Sequence, residues 1–389
     1  MGPAVSRRAR RRATPEIPPG IRIAGRYQIE LKLGEGGMAE VYRALDVDTG
    51  RRVAIKILRS EIVNNREAVE RTKREGELLS GLNNPAIVQV ESYGELDDGA
   101  VFLVMELLEG ETLGARMRRG AMEPIELAPI VAGTCAGLSA AHARDIVHRD
   151  LKPDNIFLCP THYGVQVKLL DFGISKVCGA ERLTKTGEVL GTPRYMSPEQ
   201  LGAEHDVDGR ADVYALGVIL YEALAHKPPF LASTPTDLII AILNGKVAPL
   251  RAARPDVSSN VEGVVMRAMS KLREARFDTA KDLAEAYIEA AGGVASVRRQ
   301  QRRGLATRAL GGKVAVAALA VPTTSPPPKS EGSVAGALRL GTFSGLREMP
   351  AAAASSASNR SSSAATRMMG AAASAAGIAA ELPARELHP

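Results

Sequence analysis

The stretch His148-Arg149-Asp150-Leu151-Lys152-Pro153-Asp154-Asn155, running into the apolar Ile156-Phe157-Leu158, decides how this chain is read. Alone, a charged loop ahead of a short apolar strand is an ordinary solvated turn. Sixteen residues past Asn155, however, stands Asp171-Phe172-Gly173, directly after a second strand-like run, Val165–Leu170. Aspartate and asparagine oxygens suit Mg²⁺, a hard cation that prefers oxygen ligands. Asp150 is thus a candidate base, and Asn155 and Asp171 are candidate metal ligands.

Upstream lies Gly34-Glu35-Gly36-Gly37-Met38-Ala39-Glu40-Val41. Glycines let backbone N–H groups approach phosphates without Cβ interference, although a glycine turn alone is also an ordinary hairpin. This one joins two strand-like segments, Tyr27–Leu33 and Val41–Ala44, whereas dinucleotide and Walker-type loops lead into a helix. Next comes Val53-Ala54-Ile55-Lys56, a lysine in an apolar strand. An edge-strand lysine can face water, but a buried ammonium needs a partner. The charged helix expected over 62–81 offers Glu75, with Glu77 as runner-up. The two lie about 200° apart around a helix, so both cannot face Lys56.

Short β-rich runs (41–44, 53–58, 87–93, 101–105) precede helical ones (126–143, 211–225, 261–269, 279–291), the apolar run 211–225 being one that must be buried. A β-rich block followed by an α-rich block predicts an α+β protein of two lobes, not βαβ winding.

A phosphate loop, a buried lysine, a base and two metal ligands, in this order, make the chain resemble the catalytic domain of bacterial eukaryotic-type (Hanks-type) serine/threonine protein kinases over about residues 27–291. The resemblance implies the bilobal kinase fold, with N-lobe 27–105, hinge 106–110 and C-lobe 111–291. It implies ATP and Mg²⁺ as cofactors and protein Ser/Thr hydroxyls as acceptors. Leu33, Gly34, Glu35, Gly36 and Gly37 would cover the nucleotide. The family often has glycine where Ala39 stands, so the loop tip is slightly stiffer here. Lys56 would hold the α/β-phosphates and pair with Glu75. Val41, Ala54 and Phe157 would sandwich adenine, Met105 would be the gatekeeper, and Glu106 to Leu108 the hinge. Asp150 would be the catalytic base, Lys152 would steady the transferring group, and Asn155 and Asp171 would bind Mg²⁺. Lys152, two residues after Asp150, fits the serine/threonine class.

The segment Gly191–Glu199 resembles the family's substrate-docking segment, with Ser197 in place of the usual alanine. Thr192 would bond near Asp150 and Lys152, Glu199 would pair with Arg276, and Asp212 would anchor the His148–Asp150 backbone; these three are supports. Arg149 would receive a phosphate on the activation loop, with Thr184 and Thr186 as the expected phosphosites. Two other functions remain to be weighed: a pseudokinase scaffold, which needs a broken catalytic residue, and a small-molecule phosphotransferase, which usually lacks the docking segment.

The flanks differ in composition. Residues 1–26 hold 7 Arg and 1 Glu, and residues 293–389 hold 12 Lys+Arg and 4 Asp+Glu, whereas 27–292 has 31 basic and 39 acidic side chains. The pI near 9.2 therefore belongs to the tails, which argues against specific nucleic-acid binding by the folded domain. The first 26 residues read as a disordered basic arm, and 292–389 as a low-complexity Ala/Ser/Pro-rich tail. Residues 1–6, MGPAVS, formally fit a myristoylation pattern, but Pro3 spoils the context. Three cysteines without CxxC spacing exclude a disulfide framework. No uninterrupted run of 18 apolar residues exists, so no membrane span is expected. A cytoplasmic enzyme acting on protein substrates is the expectation, with N-lobe homodimerisation known among the resembling kinases.

Overall fold

Val53, Ile55 and Ile57 alternate with Ala54 and Lys56 along one strand, and this parity sorts the N-terminal half of the molecule into two faces. The computed structural model describes residues 16–36, 39–58, 81–97, 99–162, 164–172, 193–202, 206–293 and 346–348. Seven antiparallel-paired strands form the first sheet: β1 (Arg22–Ile23), β2 (Tyr27–Glu35), β3 (Ala39–Asp46), β4 (Arg52–Leu58), β5 (Val90–Glu95), β6 (Val101–Glu106) and β10 (Leu346–Glu348). Their order is β1-β2-β3-β4-β6-β5-β10. Val53, Ile55 and Ile57 join Ile29, Tyr42, Phe102 and Val104 in one buried cluster. On the other face Leu33, Val41, Ala54 and Met105 belong to a larger cluster that continues into the second lobe.

The folded chain begins before residue 27. Ile29 N–H donates to Ile21 O at 2.8 Å, Gly20 N–H to Ile29 O at 2.8 Å, and Ile23 is buried. The expected disordered arm therefore ends earlier than residue 26. The two isoleucines of 21–23 form too short a pattern to signal a strand, and β2 supplies the pairing. The tail reading needs a similar correction, because β10 comes from within 292–389. It pairs antiparallel with β5, with Arg347 opposite Tyr93.

The second lobe carries a three-stranded sheet, β7 (Glu111–Thr112), β8 (Ile156–Thr161) and β9 (Gly164–Leu169). Its helices are α1 (Leu113–Met117), α2 (Pro124–His142), α3 (Pro198–Leu201), α4 (Arg210–Ala225), α5 (Pro235–Asn244), α6 (Leu250–Ala253), α7 (Ser259–Ala268) and α8 (Ala280–Ala290). The expected helix over 62–81 lies almost wholly outside the described residues. Helix α4 is buried nearly all round, as its composition demands. Helix α5 was not anticipated, although Thr234 caps it by accepting from Asp237 N–H and Pro235 occupies its first turn.

By length and composition α2 is long and apolar enough to cross a membrane; half of it is buried as the core helix of this lobe, packed on α8 and β9. Gly137 permits that packing: a Cβ there would lie 2.7 Å from Leu169 Cδ1 and 3.1 Å from Ala86 O.

One ion pair braces the lobe from inside. Arg276 Nη1 and Nη2 donate to Glu199 Oε1 and Oε2 at 2.6 and 2.8 Å, with side chains 0% and 5% exposed. Burial alone would raise the Glu199 carboxyl, but the Arg276 hydrogen bonds and charge outweigh it and hold the group below its ordinary 4.5. Arg276 also donates to Ser270 O, Arg210 O and Lys271 O, and lies over the Tyr214 ring. Breaking a buried pair from one side leaves an uncompensated charge. Arg276→Ala should therefore lower the unfolding free energy by about 3–5 kcal/mol, read from urea denaturation. A loss below about 1 kcal/mol, the size expected of an exposed pair, would overturn its role as a brace.

Candidate active site

The reactive loop begins where α2 ends. Asp212, in the first turn of α4 and 1% exposed, accepts three hydrogen bonds. His148 N–H reaches Oδ2 at 2.8 Å, Arg149 N–H reaches Oδ1 at 3.0 Å, and His142 Nε2 lies 2.8 Å from Oδ2. The anchoring expected of Asp212 is thus observed. Arg149 sits at φ 60 and Asp171 at φ 43, left-handed conformations that cost non-glycine residues about 1–3 kcal/mol.

His148 is fully buried, with its ring centroid 4.5 Å from that of Phe172. Its Nε2 lies 3.0 Å from Leu170 O, and Asp150 N–H points at its Nδ1 at 3.4 Å. This pattern selects the neutral tautomer with the proton on Nε2. Burial lowers the His148 pKa from its ordinary 6.5, and it outweighs the opposing charges of Asp212, Asp150 and Asp171.

Asp150 is held by its neighbours. Lys152 Nζ lies 3.1 Å from Oδ2, and Asn155 Nδ2 donates to Asp150 O at 2.9 Å and approaches Oδ2 at 3.4 Å. Pro153–Asn155 form a single 3₁₀ turn that brings Asn155 back to this point. With Nδ2 so engaged, Asn155 Oδ1 makes no hydrogen bond among the described residues. Leu170 N–H donates to Asn155 O at 2.9 Å, so Asn155 and Asp171 leave adjacent chain segments.

Across the cleft, Lys56 Nζ lies 2.7 Å from Asp171 Oδ1. The expected Lys56–Glu75 pair concerns a residue outside the described ones, as do Gly37, Thr184, Thr186 and Thr192. Among the described residues no group of three His, Cys, Asp or Glu side chains could hold a metal ion. Asn155 and Asp171 supply two oxygen donors, which fits Mg²⁺, an ion that keeps water and phosphate ligands and takes few from protein.

The apolar part of the site is continuous. Leu33, Val41, Ala54, Met105 and Phe157 share one cluster, and Leu107 and Leu108 pack against it half-buried. Ala54 pairs with Met105 and Val41 with Lys56, which sets the lysine beside the apolar roof. Gly34 and Glu35 close the end of β2 against β3, and Gly36 N–H donates to Ala39 O at 2.7 Å. Leu108 forms no backbone hydrogen bond with the described residues. The Glu106 side chain is committed elsewhere: its Oε1 accepts from Gln89 N–H at 2.8 Å and lies 2.6 Å from Lys168 Nζ. Sequence reasoning missed this bracket. A lysine in an alternating strand reads as solvent-facing, and only the fold brings β9 to the end of β6.

Beyond the cleft, Tyr195 OH donates to Glu222 Oε2 at 2.8 Å and Arg194 Nη1 to Glu222 Oε1 at 3.2 Å, pinning the Pro193–Tyr195 turn to α4. The Arg149 guanidinium makes no hydrogen bond or ion pair with the described residues.

Known proteins resemble this chain in sequence and in fold. The family model described as the protein kinase domain matches residues 27–288. Serine/threonine-protein kinase pkn2 of Myxococcus xanthus is 39% identical over 279 residues, covering 70% of this chain and 33% of the relative. Serine/threonine-protein kinase PrkC of Bacillus subtilis is 38% identical over 273 residues, covering 70% of this chain and 41% of the relative. The crystal structure of the Mycobacterium tuberculosis PknI kinase domain superposes with a TM-score of 0.58 at 30% identity, covering 71% of this chain and 100% of that one. The chain thus spans well under half the length of the first two relatives.

A histidine kept neutral by burial costs stability only where the unfolded chain takes up its proton. The contribution of His148 should be constant above pH 6.5 and decline as pH falls below it. The expected difference between parent and His148→Gln is at most about 1.4 kcal/mol per pH unit, read from urea midpoints between pH 5 and 7.5. Identical slopes in the two proteins would overturn the neutral, buried assignment.

Proposed function

The chain belongs to the protein kinase family, and on that premise we propose that it transfers the γ-phosphoryl group of ATP to serine and threonine hydroxyls of proteins. The observation that carries the reading is the meeting of Asp150, Lys152 and Asn155 on one loop opposite the Lys56–Asp171 contact. Asp150 would take the proton of the acceptor hydroxyl as its oxygen attacks the γ-phosphorus and the bond to the β-phosphate oxygen breaks, releasing ADP. Lys152, already beside Asp150, would hold both the acceptor and the transferring group in line.

Lys56 would turn from Asp171 to the α/β-phosphates, with Glu75 as its partner. Asn155 and Asp171 would hold Mg²⁺, which when bound neutralises charge on the phosphate oxygens. Leu33, Val41, Ala54, Met105 and Phe157 would enclose adenine, with the backbone of Glu106 to Leu108 as its hydrogen-bonding edge. Gly34 to Gly37 would lie over the phosphates.

The same reading assigns residues 27–291 to the catalytic domain and its flanks to accessory roles. A domain that draws on ATP would work in the cytoplasm. Self-association through the N-lobe belongs to the same proposal; β1 and β10 are the edge strands of the first sheet. Thr184 and Thr186 are the proposed autophosphorylation sites. The support is Arg149, whose guanidinium is left without a partner among the described residues and would pair with a phosphate of about −1.5 to −2 charge.

Incubation with Mg-ATP and a basic acceptor protein, beside Asp150→Asn, tests this. The parent should phosphorylate the acceptor and itself at Thr184 or Thr186 by mass spectrometry, and the variant should be about 10²–10⁴-fold slower. Mg-ATP binding without any turnover in the parent would point to a scaffold. Phosphate on small-molecule acceptors but on no protein would point to a different phosphotransferase.

A further inference from the structure

Arg149 precedes the proposed base Asp150 and is held in a left-handed conformation at φ 60. A strained residue persists only when its surroundings over-determine it. On its N-terminal side the grip is Asp212, which accepts Arg149 N–H at 3.0 Å. On its C-terminal side the grip comes from a different element. Gln200, in α3, donates from Nε2 to Arg149 O at 2.9 Å, across 51 residues of sequence. That carbonyl belongs to the peptide unit shared with Asp150, so whatever fixes it also fixes where the Asp150 side chain starts.

The amide of Gln200 is itself oriented by its partners. Its Oε1 accepts Ser197 N–H at 3.0 Å and Ser197 Oγ at 3.2 Å, capping α3. A backbone N–H requires the amide oxygen and a carbonyl requires the amide nitrogen, so the two contacts choose the same orientation. The helix cannot drift either, because its neighbouring residue Glu199 is fixed to Arg276 in the lobe interior. The serine found at position 197, where the resembling family usually has alanine, adds its hydroxyl to this clamp.

We propose that Gln200 is a positioning residue for the reaction: it holds the Arg149–Asp150 peptide and so couples the segment leading into α3 to the orientation of Asp150. This rests on the assignment of Asp150 as base. The coupling runs through a contiguous chain, Arg276 to Glu199, α3, Gln200 and the Arg149 carbonyl.

Two substitutions separate this role from simple helix capping. Gln200→Glu keeps an acceptor for Ser197 N–H, and a carboxylate is favoured in the first turn of a helix. It removes the donor and sets oxygen against the Arg149 carbonyl. Gln200→Leu removes both contacts. The expected result is that both variants lose roughly ten- to hundredfold in kcat, the scale of a displacement near 1 Å in a reacting group. KM for ATP in Gln200→Glu should stay near the parent's, because the nucleotide contacts are kept, and its thermal midpoint should fall less than that of Gln200→Leu, because only the first keeps the cap. Parent-like kcat in Gln200→Glu would reduce Gln200 to a cap and overturn the proposal. A loss of kcat matched by lost nucleotide affinity and stability would overturn it too. Asp150→Asn is assayed alongside: if it turns over like the parent, the base assignment has failed, and the role of Gln200 falls with it for that separate reason.

Discussion

The carboxylate of Asp212 is the constraint on which the reactive loop depends. A buried acidic group in an apolar helix is costly unless its oxygens are filled. Here the filling is the His148–Asp150 loop: two consecutive backbone amides and an imidazole fill the oxygens of Asp212. The requirement is mutual, since those amides, buried next to His148, need an acceptor as much as the carboxylate needs donors. The loop is thereby bent into a conformation that Arg149 would not choose, at φ 60.

The two lobes meet along a seam of backbone and charge. Val88 N–H donates to Leu169 O at 3.0 Å and Leu169 N–H to Ala86 O at 2.7 Å, which stitches the approach to β5 onto β9. Lys168, the neighbour of Leu169, reaches Glu106 at the end of β6. Lobe position is thus tied at the strand that carries Met105 and at the strand that leads to Asp171. The apolar cluster crosses the same seam, so closing the cleft and packing the core are one process.

Much of the architecture was legible. The β-rich block before the α-rich block, the burial of α4, and the capped helix at 280–290 follow from periodicity and caps, which are local properties. The less legible elements were short or shared their signal with something else. The two-residue β1 and three-residue β10 carry no period of their own and exist by pairing with β2 and β5. Helix α5 had its cap and proline in plain view, but Ile240 is exposed and Ile242 is its one buried residue, so its apolar face is weak. Glu106 illustrates a second kind of loss: a hinge glutamate reads as part of the nucleotide site, whereas its side chain is occupied by Gln89 and Lys168.

By itself the sequence determined the chemical inventory and its order: a glycine turn between strands, a lysine in an apolar strand, Asp150 and Asn155 on one loop, and Asp171 after the next strand. These are local patterns, and each residue type limits what it can donate, accept or ligate. The tertiary structure alone decided which of them touch. Lys56 meets Asp171 across 115 residues, Glu106 meets Lys168 across 62, and Gln200 meets Arg149 across 51. Contacts at such separations leave no periodic trace along the chain, because they are selected by how whole elements pack and by which buried donors remain to be satisfied.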